Sequence, residues 1–301
     1  MPIDLTTTPL VTAEWLAERL TDPDLRIVDA RWHGRRDSRA MFREGHIPGA
    51  VHLDWQRDLS TTINGIRDLL LPPGQFAVVM SAYGIGDETR VIAYAHKDYS
   101  GAARLWWALR VYGHDQVAVL DGGIDKWQAE SRPLDQGEPP KYPAAAFTPH
   151  PRSEWIANRD DVLAALDDPS VRLVDTRPVE QYQGRAVWTP QGSKYLEAAS
   201  TTIDVGARTP MQAGHIPGAV HLESSDNLDH SSWTYLPTEE LRTRFEAAGL
   251  HPDQRIITYC GVGISASVGL FALYLAGYRN LAIYDASWEE WGTDPDVPIE
   301  Q

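Results

Sequence analysis

Short runs of apolar, mostly β-branched residues alternate with longer amphipathic stretches along the chain. The runs LRIVDA, VIAYA and QVAVLD lie in the first half, and VRLVDT, RIITYC and NLAIYD lie in the second. Apolar runs of this length predict buried strands. Between them, segments such as TAEWLAERL, TEELRTRFEAAGL and SASVGLFALYLAGY have the apolar spacing of helices, and the last two end near a glycine. The alternation predicts an α/β fold in which mostly parallel sheets carry helices on both faces.

The chain also contains an internal duplication. GHIPGAVHL occurs at residues 45–53 and again, unchanged, at residues 214–222. Upstream, LRIVDAR matches VRLVDTR, and downstream, YGHDQVAVLDGGIDKW matches AGYRNLAIYDASWEEW. The three pairs keep the same order, and the second copy carries an insertion between its first two blocks. Such self-similarity predicts two domains of one architecture in tandem.

A proline-rich stretch separates the two copies. Residues 132–151 read RPLDQGEPPKYPAAAFTPHP and show no helical or strand periodicity. Such a composition is typical of an extended linker. We therefore predict one domain over residues 1–135, a linker over 136–151 and a second domain over 152–301.

Charge and cysteine content narrow the class of protein. The 301 residues carry a formal net charge of −15, and the pI is near 5.0. This charge disfavours nucleic acid and anionic membrane surfaces as partners. The N-terminus has no basic and apolar leader, and a single cysteine excludes an internal disulfide, so we expect a cytoplasmic protein. The spacing of histidine and cysteine residues predicts no metal site.

The single cysteine, Cys260, ends the strand run RIITYC, and GVGIS then leads into an apolar helix. Gly261 and Gly263 allow a tight turn with its N–H groups facing inward, and the helix adds its positive end. Both effects favour thiolate over thiol, as a nucleophile requires. The alternative is a small buried apolar side chain, which the flanking glycines and the strand-to-helix position disfavour.

Three chemistries use a cysteine in such a loop. A cysteine phosphatase needs an arginine six residues after the nucleophile, and Ala266 occupies that position. A dithiol oxidoreductase needs a second cysteine, which the chain lacks. Sulfur transfer needs one thiolate, which takes up a sulfane sulfur as a persulfide and passes it on. The residues therefore favour sulfur transfer, with no cofactor required.

These blocks together resemble the two-domain rhodanese family, which includes thiosulfate and 3-mercaptopyruvate sulfurtransferases. The resemblance covers roughly residues 10 to 295 and implies two tandem rhodanese-like domains. It implies that Cys260 carries the persulfide and that the first domain, with Ala95 at the matching position, is inactive. The implied cradle for the terminal sulfur is the row of backbone amides of Gly261, Val262, Gly263, Ile264 and Ser265.

The resemblance also implies two substrate-binding arginines. Arg185 matches the family's Q-G-R segment, and Arg208 stands six residues before the second GHIPG, where mercaptopyruvate-type members bind a carboxylate. The loop CGVGISA follows the mercaptopyruvate pattern except at Val262, which replaces a serine or threonine. The first-domain histidine of mercaptopyruvate enzymes has no match, and this chain offers Arg67 and Asp68 there.

We therefore expect a sulfurtransferase that moves sulfur from a small-molecule donor through a Cys260 persulfide to a thiol or cyanide. Mercaptopyruvate is favoured over thiosulfate as the donor. We expect a thiol acceptor, for which a thioredoxin-like protein is one candidate, and the sequence leaves the physiological acceptor open. The alternative is a non-catalytic persulfide carrier or sensor that acts with a protein partner.

Overall fold

The computed structural model describes residues 4–34, 36–189, 192–197, 200–204 and 210–301. It divides into two compact units. The first comprises Met1–Thr61, Leu70–Arg152 and Leu228–Tyr235, and the second comprises Thr62–Leu69, Ser153–Asn227 and Leu236–Gln301. Thus Thr62–Leu69, from the first half of the sequence, belongs to the second unit, and Leu228–Tyr235, from the second half, belongs to the first unit.

The first half contains strands and helices in regular alternation. Its elements are β1 (Leu10–Val11), α1 (Ala13–Ala17), β2 (Leu25–Asp29), α2 (Ser38–Glu44), β3 (Val51–His52), α3 (Trp55–Asp58), β4 (Ser60–Ile63), β5 (Ile66–Leu70), α4 (Pro73–Ala82), β6 (Arg90–Tyr94), α5 (Ser100–Val111), β7 (Val117–Leu120) and α6 (Gly123–Ala129). Five strands form a parallel sheet in the order β1-β7-β6-β2-β3. β4 and β5 pair with each other.

The second half repeats this plan. Its elements are a 3₁₀ turn (Ser153–Trp155), β8 (Ile156–Ala157), α7 (Arg159–Ala165), β9 (Val171–Asp175), α8 (Val179–Tyr182), β10 (Ala186–Thr189), β11 (Gly192–Tyr195), β12 (Thr202–Ile203), β13 (Met211–Gln212), β14 (Val220–His221), a second 3₁₀ turn (Ser224–Asn227), β15 (Leu228–Asp229), β16 (Thr234–Tyr235), α9 (Thr238–Ala247), β17 (Arg255–Tyr259), α10 (Ile264–Leu275), β18 (Leu281–Tyr284) and α11 (Ser287–Trp291). The parallel sheet has the order β14-β9-β17-β18-β8. The predicted fold class, two α/β domains with parallel sheets flanked by helices, is confirmed.

The repeated sequence blocks contact each other inside each unit. The identical nonapeptides supply the edge strands β3 and β14, which pair with β2 and β9. In the first unit Arg31 binds the Asp29 carboxylate at 2.6 Å and donates to the carbonyl of Gly45 at 2.7 Å. Arg177, Asp175 and Gly214 repeat this arrangement in the second unit at the same distances. The repeated sequence blocks therefore make the same contacts with one another in both units.

Residues 136–152 contain no helix or strand, but they hydrogen-bond along the first unit. The amide of His150 donates to the carbonyl of Tyr112 at 2.9 Å, and Thr148 donates to the carboxylate of Asp87. The domain boundaries derived from the sequence remain a prediction. No helix among the described residues has both the length and the apolar character needed to cross a bilayer.

Candidate active site

Cys260 directly follows the central strand of the second sheet. β17 ends at Tyr259 and α10 begins at Ile264, so the intervening residues form a strand-to-helix loop. We call residues 260–265 the cysteine loop. Ligands of parallel α/β sheets bind beyond the carboxyl ends of the strands, which is where this loop lies. The Cys260 side chain is a free thiol in a residue that is only 3% exposed.

The two loop glycines are needed for different reasons. Gly263 has φ +78 and caps the N-terminus of α10, and this left-handed conformation favours glycine. Gly261 does not have a positive φ, but the indole of Trp188 packs directly on its Cα. A Cβ at position 261 would lie 2.7 Å from Trp188 Cγ, well inside van der Waals contact. Gly261 therefore provides room for an aromatic ring, and only Gly263 provides the turn.

Backbone hydrogen bonds hold the loop carbonyls toward α11. Trp288 N–H donates to the Cys260 carbonyl, and Glu289 N–H donates to the Gly261 carbonyl, each at 2.9 Å. Among the described residues, the amides from Gly261 to Ser265 have no protein acceptor. Unpartnered amides at the start of a helix bind anions well. The loop can therefore accept an anionic group next to the sulfur.

Ser287 links the backbone of Cys260 to the turn between β18 and α11. Its hydroxyl accepts a hydrogen bond from Cys260 N–H at 3.1 Å and donates to the carbonyl of Tyr284 at 2.8 Å. The residue is 0% exposed and has φ +50, a strained conformation for any residue with a Cβ. Strain of this kind persists where surrounding contacts enforce it. The hydroxyl therefore fixes the backbone of Cys260.

The hydroxyl of Ser265 is engaged within the second unit. Thr176 Oγ1 donates to the carbonyl of Tyr259 at 3.1 Å, and Ser265 Oγ lies 3.2 Å from Thr176 Oγ1. Because the Thr176 proton is used on the carbonyl, Ser265 is the donor in the second contact. Val262, which is 3% exposed, offers only an apolar side chain.

A buried ion pair lies against the same turn. Arg177 binds Asp175 at 2.6 Å, and its guanidinium carbon lies 4.3 Å from the ring centroid of Trp288. Burial alone would lower the pKa of Arg177, but the Asp175 carboxylate outweighs burial and the pKa is raised. The Arg177 guanidinium therefore packs against the indole of Trp288, and the amide of Trp288 donates to the Cys260 carbonyl.

The structure describes only one of the two predicted substrate arginines. Arg185 is exposed, with 58% of its side chain accessible, and its ion-pair partner among the described residues is Glu180 at 3.8 Å. None of its described contacts is with the cysteine loop. Arg208 lies outside the described residues. Substrate binding by both arginines stays a prediction.

Arg67 forms a stronger contact than the sequence indicated. Within the second unit its Nε lies 2.7 Å from Oε1 of Glu289, and its Nη2 lies 3.0 Å from Oε2. This two-bond geometry is typical of a strong arginine–carboxylate pair. Its neighbour Asp68 is 8% exposed with φ +61. The pair connects a residue of the first half of the sequence to a residue that binds the loop backbone.

The sequence reasoning missed Thr176, Ser287 and Trp188. Comparison of the two copies contains a signal for the first two. Thr176 stands where the first copy has Ala30, and Ser287 stands where it has Gly123, which has φ +54. A serine that replaces a left-handed glycine only in the cysteine-bearing copy indicates a role for its hydroxyl. Trp188 lies in the insertion, so the first copy offers no counterpart for comparison.

The comparisons with known proteins agree with this architecture. A sequence model described as "Rhodanese-like domain" matches residues 12–130 and 158–294. The chain is 34% identical over 295 residues to the sulfur carrier protein TtuD of Thermus thermophilus, covering 96% of this chain and 95% of that protein. It is 32% identical over 300 residues to the 3-mercaptopyruvate sulfurtransferase of Escherichia coli, covering 98% and 99%.

A solved structure shares the fold as well. The crystal structure of SseA from Escherichia coli, described as having the "Rhodanese" fold of 3-mercaptopyruvate sulfotransferases, matches with a TM-score of 0.78 and 30% identity. The match covers 94% of this chain and 99% of SseA. The chain belongs to the rhodanese-like domain family, as the sequence resemblance predicted.

Proposed function

We propose that this protein is a sulfurtransferase that carries a sulfane sulfur on Cys260. The observation that carries the proposal is the cysteine loop itself. Cys260, which carries the only thiol in the sequence, is the first residue of the loop, and the next five amides have no protein acceptor among the described residues. The names of the Escherichia coli relative and of SseA support the same activity.

The reaction is a double displacement that needs no cofactor. The Cys260 thiolate attacks the donor sulfur and forms an S–S bond. With 3-mercaptopyruvate the C–S bond breaks, its electron pair passes to the carbon, and pyruvate leaves after protonation. With thiosulfate the S–S bond of the donor breaks and sulfite leaves. An acceptor thiolate or cyanide then attacks the outer sulfur, which restores the Cys260 thiolate and yields an acceptor persulfide or thiocyanate.

The amides of Gly261, Val262, Gly263, Ile264 and Ser265 would hold the anionic outer sulfur of the persulfide. Hydrogen bonds from fixed amides in a site with little water stabilise such a charge strongly. The bonds from α11 to the loop carbonyls favour this role, because each peptide group with its carbonyl turned toward α11 has its N–H turned away. We assign no catalytic role to the first unit, which has Ala95 in place of the cysteine.

We propose 3-mercaptopyruvate as the preferred donor. Gly261, Gly263 and Ala266 follow the mercaptopyruvate-type loop, and Ser265 retains a hydroxyl. Arg185 would bind the donor carboxylate, since its long ion pair with Glu180 leaves most of the guanidinium accessible. Arg208 is proposed as the second carboxylate ligand from its sequence position alone. A reduced thioredoxin-like protein in the cytoplasm is the acceptor we propose.

The test begins with the mass of the intact protein after incubation with each donor. We expect a gain of about 32 Da, one sulfur atom held as a persulfide, that is absent in Cys260→Ser. Steady-state rates should then be measured with mercaptopyruvate and with thiosulfate, offering cyanide and a dithiol as acceptors. An unmodified Cys260 at saturating donor would refute the proposal, and faster turnover of thiosulfate would refute the donor preference.

A non-catalytic sulfur carrier is the second candidate, and the name of the Thermus thermophilus relative favours it. A carrier would form the persulfide but release it only to a specific protein partner. Many turnovers with a small donor and a small acceptor alone would exclude this role. Stoichiometric loading without turnover would support it and would contradict the enzymatic proposal.

A further inference from the structure

A buried acidic residue, Glu289, contacts the cysteine loop through its backbone. Glu289 is 6% exposed, and its amide donates to the carbonyl of Gly261, the residue after the cysteine. A buried negative charge without a counter-ion is strongly unfavourable and repels other anions. The proposed sulfur donors are anions, and so is the persulfide. The charge of Glu289 therefore needs compensation if the loop is to take up sulfur.

Arg67 supplies that compensation. Its guanidinium makes two hydrogen bonds to the carboxylate, at 2.7 and 3.0 Å. The hydrogen bonds to Glu289 raise the pKa of Arg67, so its charge is permanent. Ile66 and Leu69, on either side along the same strand, pack against the hydrophobic core of the second unit and fix the position of the strand. The two charges cancel only while this strand is in place.

The two members of the pair differ in accessibility. The Arg67 side chain is 41% exposed, whereas that of Glu289 is 6% exposed. Solvent screens the charge of an exposed group more than that of a buried one. Loss of the arginine would therefore leave a poorly screened negative charge beside the loop. Loss of the carboxylate would leave a partly screened positive charge.

We infer that the Arg67–Glu289 pair keeps the cysteine loop from selecting between sulfur donors by their charge, because each side chain cancels the charge of the other. This inference rests on the proposed function. Thiosulfate is a dianion and 3-mercaptopyruvate a monoanion, so a change of one unit charge near the loop affects thiosulfate twice as strongly in free energy. The neutral pair favours neither donor by charge. This leaves the carboxylate-binding arginines to select mercaptopyruvate.

The expected effect follows from Coulomb's law. For an assumed separation of about 10 Å and an effective dielectric constant of about 20 to 40, one unit charge changes the affinity for a monoanion by about four- to seventeenfold. For a dianion the factor is squared. The ratio of kcat/KM for thiosulfate to that for mercaptopyruvate should therefore change by at least about fourfold when the charge changes by one unit.

The activity test uses four variants. Arg67→Met should lower the thiosulfate-to-mercaptopyruvate ratio by at least about fourfold, and Glu289→Gln should raise it. Arg67→Met/Glu289→Gln, which is again neutral, should return the ratio close to that of the unchanged protein. Arg67→Lys keeps the charge with poorer geometry and should also keep the ratio. A purely structural role would lower both donors equally and leave the ratio unchanged.

A second measurement separates this inference from the proposed function. Cys260 is the only thiol, so its alkylation by anionic iodoacetate and by neutral iodoacetamide reports the local potential without any sulfur chemistry. The iodoacetate-to-iodoacetamide rate ratio should fall in Arg67→Met, rise in Glu289→Gln and recover in the double variant. Ratios within about twofold of the unchanged protein in all variants would overturn the inference. The expected alkylation pattern in a protein without sulfur transfer would support the electrostatic role and refute only the function.

Discussion

Removal of the Ser287 hydroxyl is the sharpest test of how the cysteine loop is held. In Ser287→Ala the side chain keeps its Cβ, so the strained φ of +50 is unchanged. The substitution removes only the oxygen that accepts from Cys260 N–H and donates to the Tyr284 carbonyl. Since Ser287 is 0% exposed, we expect no water to replace that oxygen.

The expected loss of stability follows from these contacts. A buried donor left without its partner costs about 1–3 kcal/mol, so Ser287→Ala should lower the free energy of unfolding by about 2 kcal/mol. Ser287→Gly loses the same hydrogen bonds but relieves the left-handed strain, worth about 1–2 kcal/mol. Glycine should therefore be less destabilising than alanine, although it is the more flexible residue. The first copy has Gly123 at this place, with φ +54.

The assay combines urea unfolding with hydrogen–deuterium exchange of the peptide that contains Cys260. Amide exchange at Cys260 should accelerate in both variants, and persulfide formation should slow by about tenfold because the sulfur is less well positioned. Ser267→Ala is the matched control. It removes an equally buried hydroxyl that donates to the Ile264 carbonyl rather than accepting from the cysteine.

The stability of each variant in urea and its amide exchange at Cys260 decide whether the Ser287 hydroxyl holds the loop. Ser267→Ala should leave amide exchange at Cys260 nearly unchanged, because its hydroxyl bonds the Ile264 carbonyl and not Cys260. If Ser287→Ala unfolds at the same urea concentration as the unchanged protein and exchange at Cys260 does not accelerate, the hydroxyl does not hold the loop. A glycine variant less stable than the alanine variant would refute the strain argument.

Three further predictions concern other contacts of the fold. Gly261→Ala would place a methyl 2.7 Å from Trp188 Cγ, and urea unfolding should show a loss of about 1–3 kcal/mol that Trp188→Leu partly restores. A Gly261→Ala protein of full stability would contradict this packing. Arg177→Met leaves the buried Asp175 without a counter-ion and should cost about 3–5 kcal/mol, less when combined with Asp175→Asn. A loss below about 1 kcal/mol would show that the pair does not stabilise the fold. Burial lowers the pKa of His114, so the unfolded chain binds the proton first and stability should fall as the pH drops below about 6.5. His114→Leu should make that fall shallower, and identical pH profiles would argue against it.

Much of the fold was predictable because the signals are local. The strand β17 is a short run rich in β-branched residues, and the helix α10 is apolar nearly all round, so the sequence alone predicts that both are buried. The repeated nonapeptide identified the duplication without structural information. The glycines around Cys260 indicated the strand-to-helix turn, although only Gly263 has the positive φ that a tight turn requires.

The residues that hold the cysteine loop in position were not predictable from local sequence signals. Ser287 and Trp188 are ordinary residues in sequence, and their importance depends on which backbone atoms they meet. Arg67 was noted only as a replacement for an absent histidine, whereas the structure pairs it with Glu289, 222 positions away. Arg185, predicted from a short motif, lies exposed beside Glu180. Motifs report local conformation, but they contain no information on distant partners.

The sequence by itself determined the two-copy α/β plan, the position of the single cysteine and the family, because hydrophobic periodicity and short motifs depend on neighbours along the chain. The tertiary structure decided what surrounds that cysteine. A serine in a left-handed turn holds its amide, an indole covers the next glycine, and an ion pair from distant segments neutralises a buried carboxylate beside the loop. These contacts arise only when strands and turns distant in sequence pack together. Their free energies depend on burial and distance, which the linear order of residues does not contain.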